Sequence, residues 1–296
     1  SVNLFDPHAP FDPPQSYLDR YAPEQMPDPW FADGDLEAQA KLSAVVFQTE
    51  ASHPDELSMA SYYMKLGHAD LSETAPASIA EIRAAYYAMI ELADHNVGRM
   101  VAALEESGQR ENTIIIFMSD HGETLGDHGL LLKGCRFYEG LVRVPLIVSW
   151  PGQIGEGVVS DALVELVDIA PALLDFAGLP HPKRMQGQSI KPILTGETGP
   201  DHHRAHVRSE YYRTLSYIEP DGVGSYGTMI RNDRYKLVTY HGQELGELFD
   251  LETDPHEFTN LWDDPDHTDV RFRLLKQSFD DLAHGVDLGP EQTTVF

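Results

Sequence analysis

Residues Thr113 to Gly140 read TIIIFMSDHGETLGDHGLLLKGCRFYEG, and the fold turns on how this run is understood. Thr113 to Met118 has the length of a strand and carries apolar side chains on both faces, which predicts a buried parallel strand. It empties into Asp120-His121-Gly122. Neighbouring side chains on an extended strand point to opposite faces, so Asp120 and His121 converge only if the strand has ended by Ser119. Gly122 supplies the backbone freedom for that bend. An acid and an imidazole at the carboxyl end of a strand stand where open α/β sheets place their ligands. Taken alone, the tripeptide suits a capping Asp beside a surface His equally well. Lys133 follows the leucines 130–132 and precedes Gly134, where a loop can return it to the strand end. There a lysine neutralises a tetrahedral anion as a point charge, the alternative being an exposed loop lysine.

Upstream, Ile79, Ile82, Tyr86, Met89, Ala93, Val97, Met100 and Leu104 recur at three- and four-residue spacing. That periodicity predicts a helix over 77–106 with one apolar face, ended by Ser107-Gly108. Downstream, RVPLIVSW (143–150) reads as a second strand closed by Pro151-Gly152, and residues 163–177 as an amphipathic helix ended by Gly178. Alternating strands and helices predict a layered α/β domain, a sheet with flanking helices. Residues 12–60 are rich in proline and acids and read as a surface excursion with short helices. Val2 to Phe5 reads as a strand already under way that Asp6-Pro7 stops, so an upstream segment or a processed end is expected.

Near residue 204 the character changes. HVRSEYY, YGTMIRNDRYKLVTY and GELFDL read as short antiparallel strands with a turn at Asn232-Asp233, and a last helix is expected over 266–283. The expected division is therefore 1–203 for the α/β portion and 204–296 for a small α+β subdomain with an antiparallel sheet.

Composition narrows the partners. Hydrophobic residues make up 42% and charged residues 23% of 296, which argues for a folded globular chain. No apolar run approaches the roughly 20 residues of a membrane span. The formal charge of −27, from 48 acids against 21 bases, argues against nucleic acid or a long sulfated glycan as a bulk partner. A local basic pocket for one small anion remains compatible with it. The single cysteine, Cys135, excludes an internal disulfide. The absence of a cysteine pair mildly favours a reducing compartment, and a soluble protein of the cytoplasm or of the periplasm is compatible with this chain.

SDHGETLGDHGLLLKGCRFYEGLVRVPLIVSWPG (119–152) resembles the metal-and-lysine block of the sulfatase family, within the alkaline phosphatase superfamily. RNDRYKLVTYHGQELGELFDLETDPHEFTNL (231–261) is similar to that family's carboxyl-terminal stretch, and ADHNVGRMVAAL and PHAPF also fit. The resemblance spans nearly the whole chain in order. It implies an alkaline phosphatase/sulfatase-like α/β fold, incomplete at its amino-terminal side. Asp120 and His121 then match the second pair of metal ligands, and Lys133 the lysine that binds the sulfate oxygens. His8 matches the histidine that binds sulfate and assists the leaving group. The implied cofactors are one divalent metal, Ca²⁺ or Mn²⁺ with Zn²⁺ as a further alternative, and a formylglycine nucleophile. Asp127 and His128 read instead as loop-shaping residues, and His202, His203 and His206 as a solvated cluster. Glu123 and Arg136 are left open.

Two features of the family are absent from the sequence. There is no Cys-x-Pro-x-Arg or Ser-x-Pro-x-Arg segment to supply formylglycine; Cys135 lies in GCRFYE. The adjacent aspartates that complete the metal site have no early counterpart, since Asp263-Asp264 lies in the tail. The chain thus reads as the carboxyl-terminal part of a sulfuric ester hydrolase acting on a small sulfate ester, inert by itself and prone to self-association through an exposed apolar edge. His121 replaces the asparagine of many sulfatases, and imidazole suits Mn²⁺ or Zn²⁺ better than Ca²⁺. A phosphonate monoester or phosphodiester hydrolase is the alternative within the superfamily, and a non-catalytic binding module the alternative outside it.

Overall fold

A computed structural model of the chain describes residues 1–212 and 225–285. They form a mixed α/β structure with antiparallel sheets, in two compact units: one contains Ser1–Pro151, the other the described residues from Gly152 onward.

The first unit opens with short helices, α1 Gln15–Leu18 and α2 Asp35–Lys41 in the proline-rich excursion, then α3 Met59–Lys65 at its end and α4 Ala69–Thr74 after it. Its spine is α5, Ile79–Glu106. Ser78 and Glu81 form a reciprocal cap there, the Ser78 hydroxyl accepting from the Glu81 N–H and the Glu81 carboxylate accepting from the Ser78 N–H. The apolar stripe of α5 delivers Ile82, Ala85 and Met89 into a core with Phe11, Leu57, Met59, Tyr63, Leu131 and Leu132. Burial of leucines 131 and 132 fixes the chain immediately before Lys133.

Strand β1 (Ile115–Met118) is followed by a 3₁₀ turn at Asp127–Gly129, helix α6 (Glu139–Val142) and strand β2 (Leu146–Ser149). The two strands pair antiparallel, Ile115 opposite Ser149 and Met118 opposite Leu146. This corrects the expectation of a buried parallel strand. The link between them contains no long crossover helix to carry the chain back to the other end of the sheet, which parallel pairing requires. Burial is also incomplete, since Met118 and Ile147 are about half exposed. Val2–Phe5 is no strand. No strand among the described residues pairs with it, and Val2 and Phe5 are both about two-thirds exposed.

In the second unit, the expected helix over 163–177 is shorter, a 3₁₀ turn at Leu166–Asp168 running into α7, Ile169–Phe176. The cause is Asp168, whose carboxylate accepts from the N–H groups of Glu165 (2.9 Å) and Gln188 (2.7 Å) and from Arg204. His203 also lies against it, with Nε2 3.3 Å from Oδ2. His206 pairs with Asp281 at 2.7 Å and with Gln277 at 2.8 Å. The solvated-cluster reading is therefore corrected for both residues, which are held by acids distant in sequence; His202 is exposed.

After α8 (Lys191–Leu194), strands β3 (Val207–Tyr212), β4 (Tyr226–Arg231), β5 (Tyr235–Tyr240) and β6 (Gly246–Asp250) form an antiparallel meander in that order. Helix α9 (Thr268–His284) seals one face, Leu274 packing on Ile230, Leu237 and Leu248. No helix of the described residues is long and apolar enough to cross a membrane.

The hairpin of β5 and β6 is tied at its open end by Asp250, which accepts from Arg234 through Nε at 3.0 Å and Nη2 at 2.7 Å. That pairing holds the Asp250 carboxyl below the usual aspartate range. A depressed folded-state pKa stabilises above the unfolded value of about 3.9, and the contribution is lost as pH falls through the folded value. Asp250→Asn is expected to lower the melting temperature at neutral pH, and the gap from wild type should close as pH drops below about 4. A gap independent of pH in thermal melts would assign the loss to packing.

Candidate active site at the β1 strand tip

The strand ends where it must for its acid and imidazole to meet. The Ser119 hydroxyl donates to the His121 carbonyl at 2.7 Å, and the His121 N–H donates to Asp120 Oδ1 at 3.0 Å. The bend is then pinned from outside, the Gly122 N–H donating to the Leu141 carbonyl at 2.8 Å. Glycine at 122 is required by contact, not by its torsion angles. A Cβ there would overlap the Gly140 carbonyl oxygen and lie 2.9 Å from the carbonyl carbon.

His121 Nδ1 lies 2.9 Å from the Gly122 carbonyl. A carbonyl only accepts, so Nδ1 carries the proton and a neutral ring presents a bare Nε2. That nitrogen lies 3.7 Å from Asp120 Oδ2, whose side chain is 85% exposed. An imidazole oriented through its other nitrogen beside an open carboxylate is a donor pair of the kind that divalent metals use. Two donors remain short of the four that Zn²⁺ takes or the six to eight of Ca²⁺. Among the described residues no group of three or more His, Cys, Asp or Glu could hold a metal ion. The pair fits part of a coordination shell.

From Gly122 the chain makes a closed loop that brings Lys133 back. The Thr124 hydroxyl lies within donor distance of the carbonyls of Leu130 (2.9 Å) and Leu132 (2.7 Å), and the Gly126 N–H donates to Leu130. Leu125, Gly126, His128, Gly129 and Leu132 all take positive φ, which tightens the loop. Asp127 and His128 hold it, as their loop-shaping reading expects. Asp127 accepts from Arg83 of α5 at 2.7 Å, and buried His128 pairs with Asp35 at 3.1 Å and stacks on Tyr138. On the far side, residues 46–49 run beside the returning chain, the Gln48 N–H donating to the Lys133 carbonyl at 3.1 Å and the Cys135 N–H to Val46 at 2.9 Å. Arg136 is buried and binds the Leu42 and Val45 carbonyls and Gln39, a framework role.

Lys133 Nζ donates to Glu123 Oε2 at 3.0 Å. The Lys133 side chain is 17% exposed and that of Glu123 only 4%. Burial pushes the Glu123 carboxyl up; Lys133, and then the charges of His121 and His8, oppose the rise. Glu123 thus lies within electrostatic reach of three of the four site residues read from the sequence. Its charge also reaches Tyr86, whose phenol pKa is raised to about 12 by burial with a smaller push from Glu123. His8 itself is exposed, and its Nδ1 lies 2.6 Å from the Ala9 carbonyl, so Nε2 is its outward nitrogen.

Glu123 is the site residue that sequence reasoning left open. Its burial depends on a loop closing ten residues later, and nothing adjacent marks it; the only signal is an acid directly after the Asp-His-Gly tip.

The Asp120-His121 strand tip, the anchored ammonium of Lys133 and the exposed His8 lie in one α/β unit. A sulfatase family profile matches residues 2–179, and a profile described as N-sulphoglucosamine sulphohydrolase, C-terminal, matches residues 126–284. An arylsulfatase of Clostridium perfringens is 32% identical over 88% of this chain and 48% of its own length. The multifunctional alkaline phosphatase superfamily protein PehA of Trinickia caryophylli is 33% identical over 89% of this chain and 51% of its own. Among solved structures, the phosphonate monoester hydrolase of Silicibacter pomeroyi superposes with a TM-score of 0.77 at 29% identity, covering 95% of this chain and 55% of that one. The chain belongs to the sulfatase family, and its fold is the alkaline phosphatase/sulfatase fold. It spans about half the length of the curated relatives it matches.

Proposed function

We propose that this chain forms the Lys133 side of the active site of a metal-dependent sulfuric ester hydrolase acting on a small sulfate ester. The observation that carries the reading is the anchored ammonium of Lys133, on the same loop system as the Asp120-His121 tip. Asp120 and His121 would hold part of the shell of a divalent cation, which as a Lewis acid draws charge from the ester oxygens. Lys133 binds the nonbridging oxygens and offsets their charge in the transition state. His8, with Nε2 outward, donates a proton to the departing alcohol oxygen. The nucleophile and the rest of the metal shell are assigned to residues beyond these, so the chain by itself is proposed to be inert. The large acidic excess favours a small ester over a polyanionic chain.

A phosphonate or phosphodiester hydrolase is the second reading. It is favoured by the imidazole at 121 and by the likeness to a phosphonate monoester hydrolase. Sulfate and phosphonate head groups are both tetrahedral oxyanions, and Lys133 grips either. The test is turnover of aryl sulfate, choline sulfate and a phenyl phosphonate ester by the full-length protein, after metal removal and refilling with Ca²⁺, Mn²⁺ or Zn²⁺. Metal-dependent hydrolysis with a sulfate ester preferred is the expected result. A preference for the phosphonate ester selects the second reading, and no hydrolysis of any ester in any metal form sinks both.

A further inference from the structure

We propose that Glu123 positions Lys133, fixing its ammonium group for the tetrahedral anion; this rests on the hydrolase reading above. A lysine is a flexible point charge on four methylenes, with three equivalent donors and no built-in direction. Here it is held at both ends: the backbone carbonyl by the Gln48 N–H and the ammonium by Glu123 Oε2 at 3.0 Å. One N–H committed to Glu123 leaves two for the oxygens of an anion.

The burial of the pair needs an account. A buried charge pair recovers little net stability over an apolar pair of similar volume. Elsewhere in this unit the loop is closed by Thr124, Asp127 and His128, whose polar atoms meet close partners within the loop and its supports. Glu123 differs, because its second oxygen, Oε1, is buried and has no hydrogen-bond partner among the described residues. A carboxylate committed by one oxygen to the ammonium, with the other unused, fits a group kept for orientation better than one kept for cohesion. Residues that hold a catalytic group in its productive geometry contribute through that group, and loss of such support loosens the site rather than the fold.

The experiment is a double-mutant cycle in the full-length protein. It uses Glu123→Gln, Lys133→Ala and the double variant, with kcat and KM for an aryl sulfate, inhibition by inorganic sulfate, and melting temperature. Glu123→Gln is expected to lower kcat/KM about 10- to 100-fold, the size of one lost positioning contact. It should weaken sulfate inhibition while the protein still melts cooperatively. In the Lys133→Ala background the same substitution should change the rate less than about twofold, because no ammonium is left to position. Glu123→Asp, which keeps the charge but shortens the reach, should fall between wild type and Glu123→Gln. Full activity in Glu123→Gln would overturn the proposal, as would equal losses in both backgrounds, which mark a structural role. If Glu123→Gln does not fold, Glu123→Asp in the two backgrounds makes the same comparison. Undiminished turnover in Lys133→Ala alone would remove the hydrolase role of Lys133, an outcome distinct from failure of the positioning claim.

Discussion

Lys133→Ala in the full-length protein should lower turnover of its best ester about 10²- to 10³-fold, the loss measured when one preorganised donor to a developing oxyanion is removed. Two consequences of the same substitution separate catalysis from folding. The ammonium that leaves is the only residue bonded to Glu123 through its side chain in the described structure, so a buried carboxyl is left without a counter-charge. Removing one member of a buried pair costs about 3–5 kcal/mol when the remaining charge must stay ionised. Glu123 has an escape. Burial already pushes its pKa up, and without Lys133 it can take a proton instead. A carboxyl whose folded pKa lies above its unfolded value is stabilising below the unfolded value, and that stability is lost as pH rises through the folded one. The melting temperature of Lys133→Ala should therefore fall short of wild type at pH 8 and recover toward it near pH 5, while turnover stays low at both. Turnover within a factor of about three of wild type would take Lys133 out of the mechanism.

The second large effect is expected at Gly122. An alanine methyl at 122 would overlap the Gly140 carbonyl oxygen and press on Leu141 Cα at 3.3 Å, and both neighbours are backbone. A flexible side chain could swing aside; the backbone of α6 cannot, because the Leu141 carbonyl is held by the Gly122 N–H itself. Overpacking against backbone costs roughly 1–3 kcal/mol or more, and here it falls directly behind the Asp120-His121 tip. Gly122→Ala should lower the melting temperature by about 5–10 °C. It should also abolish metal-dependent turnover, since donors shifted by 1 Å lose their shared target. A variant that melts with wild type would mean that the Gly122–Gly140 approach is looser than the structure describes.

What could be read from the sequence, and what could not, follows the range of the forces involved. Helix α5 was legible because its stripe repeats at a fixed local spacing and Ser107-Gly108 marks its end. The antiparallel meander was legible from its turn residues, Asn232 accepting from the N–H groups of Arg234 and Tyr235. The approach of His121 to Asp120 was legible from the end of the strand at Ser119, whereas the reason for glycine at 122 was not: the close Gly140 carbonyl, and no special torsion, demands it. Strand direction was not: Ile115 to Met118 looks the same in either pairing, and only the absence of a crossover helix decides it. Val2 to Phe5 alternates well enough to suggest a strand, yet a strand needs a partner, and a local pattern cannot supply one. Glu123, which the sequence left open, and His203, which read as solvated, escaped a definite reading for a shared reason. Each is buried by a partner ten or more residues away, Lys133 and Asp168, and composition nearby reads as ordinary surface charge.

The central claim is that the β1 tip presents an acid and an imidazole to a divalent cation beside the Lys133 anion grip. Its most direct test is aryl sulfate turnover by the full-length Asp120→Ala protein, stripped of metal and titrated with Ca²⁺ or Mn²⁺ alongside wild type. The account predicts that wild type regains activity at low metal concentration, whereas the variant stays inactive or needs far more metal. Equal metal dependence in the two proteins, or full turnover by the stripped enzyme, would contradict it.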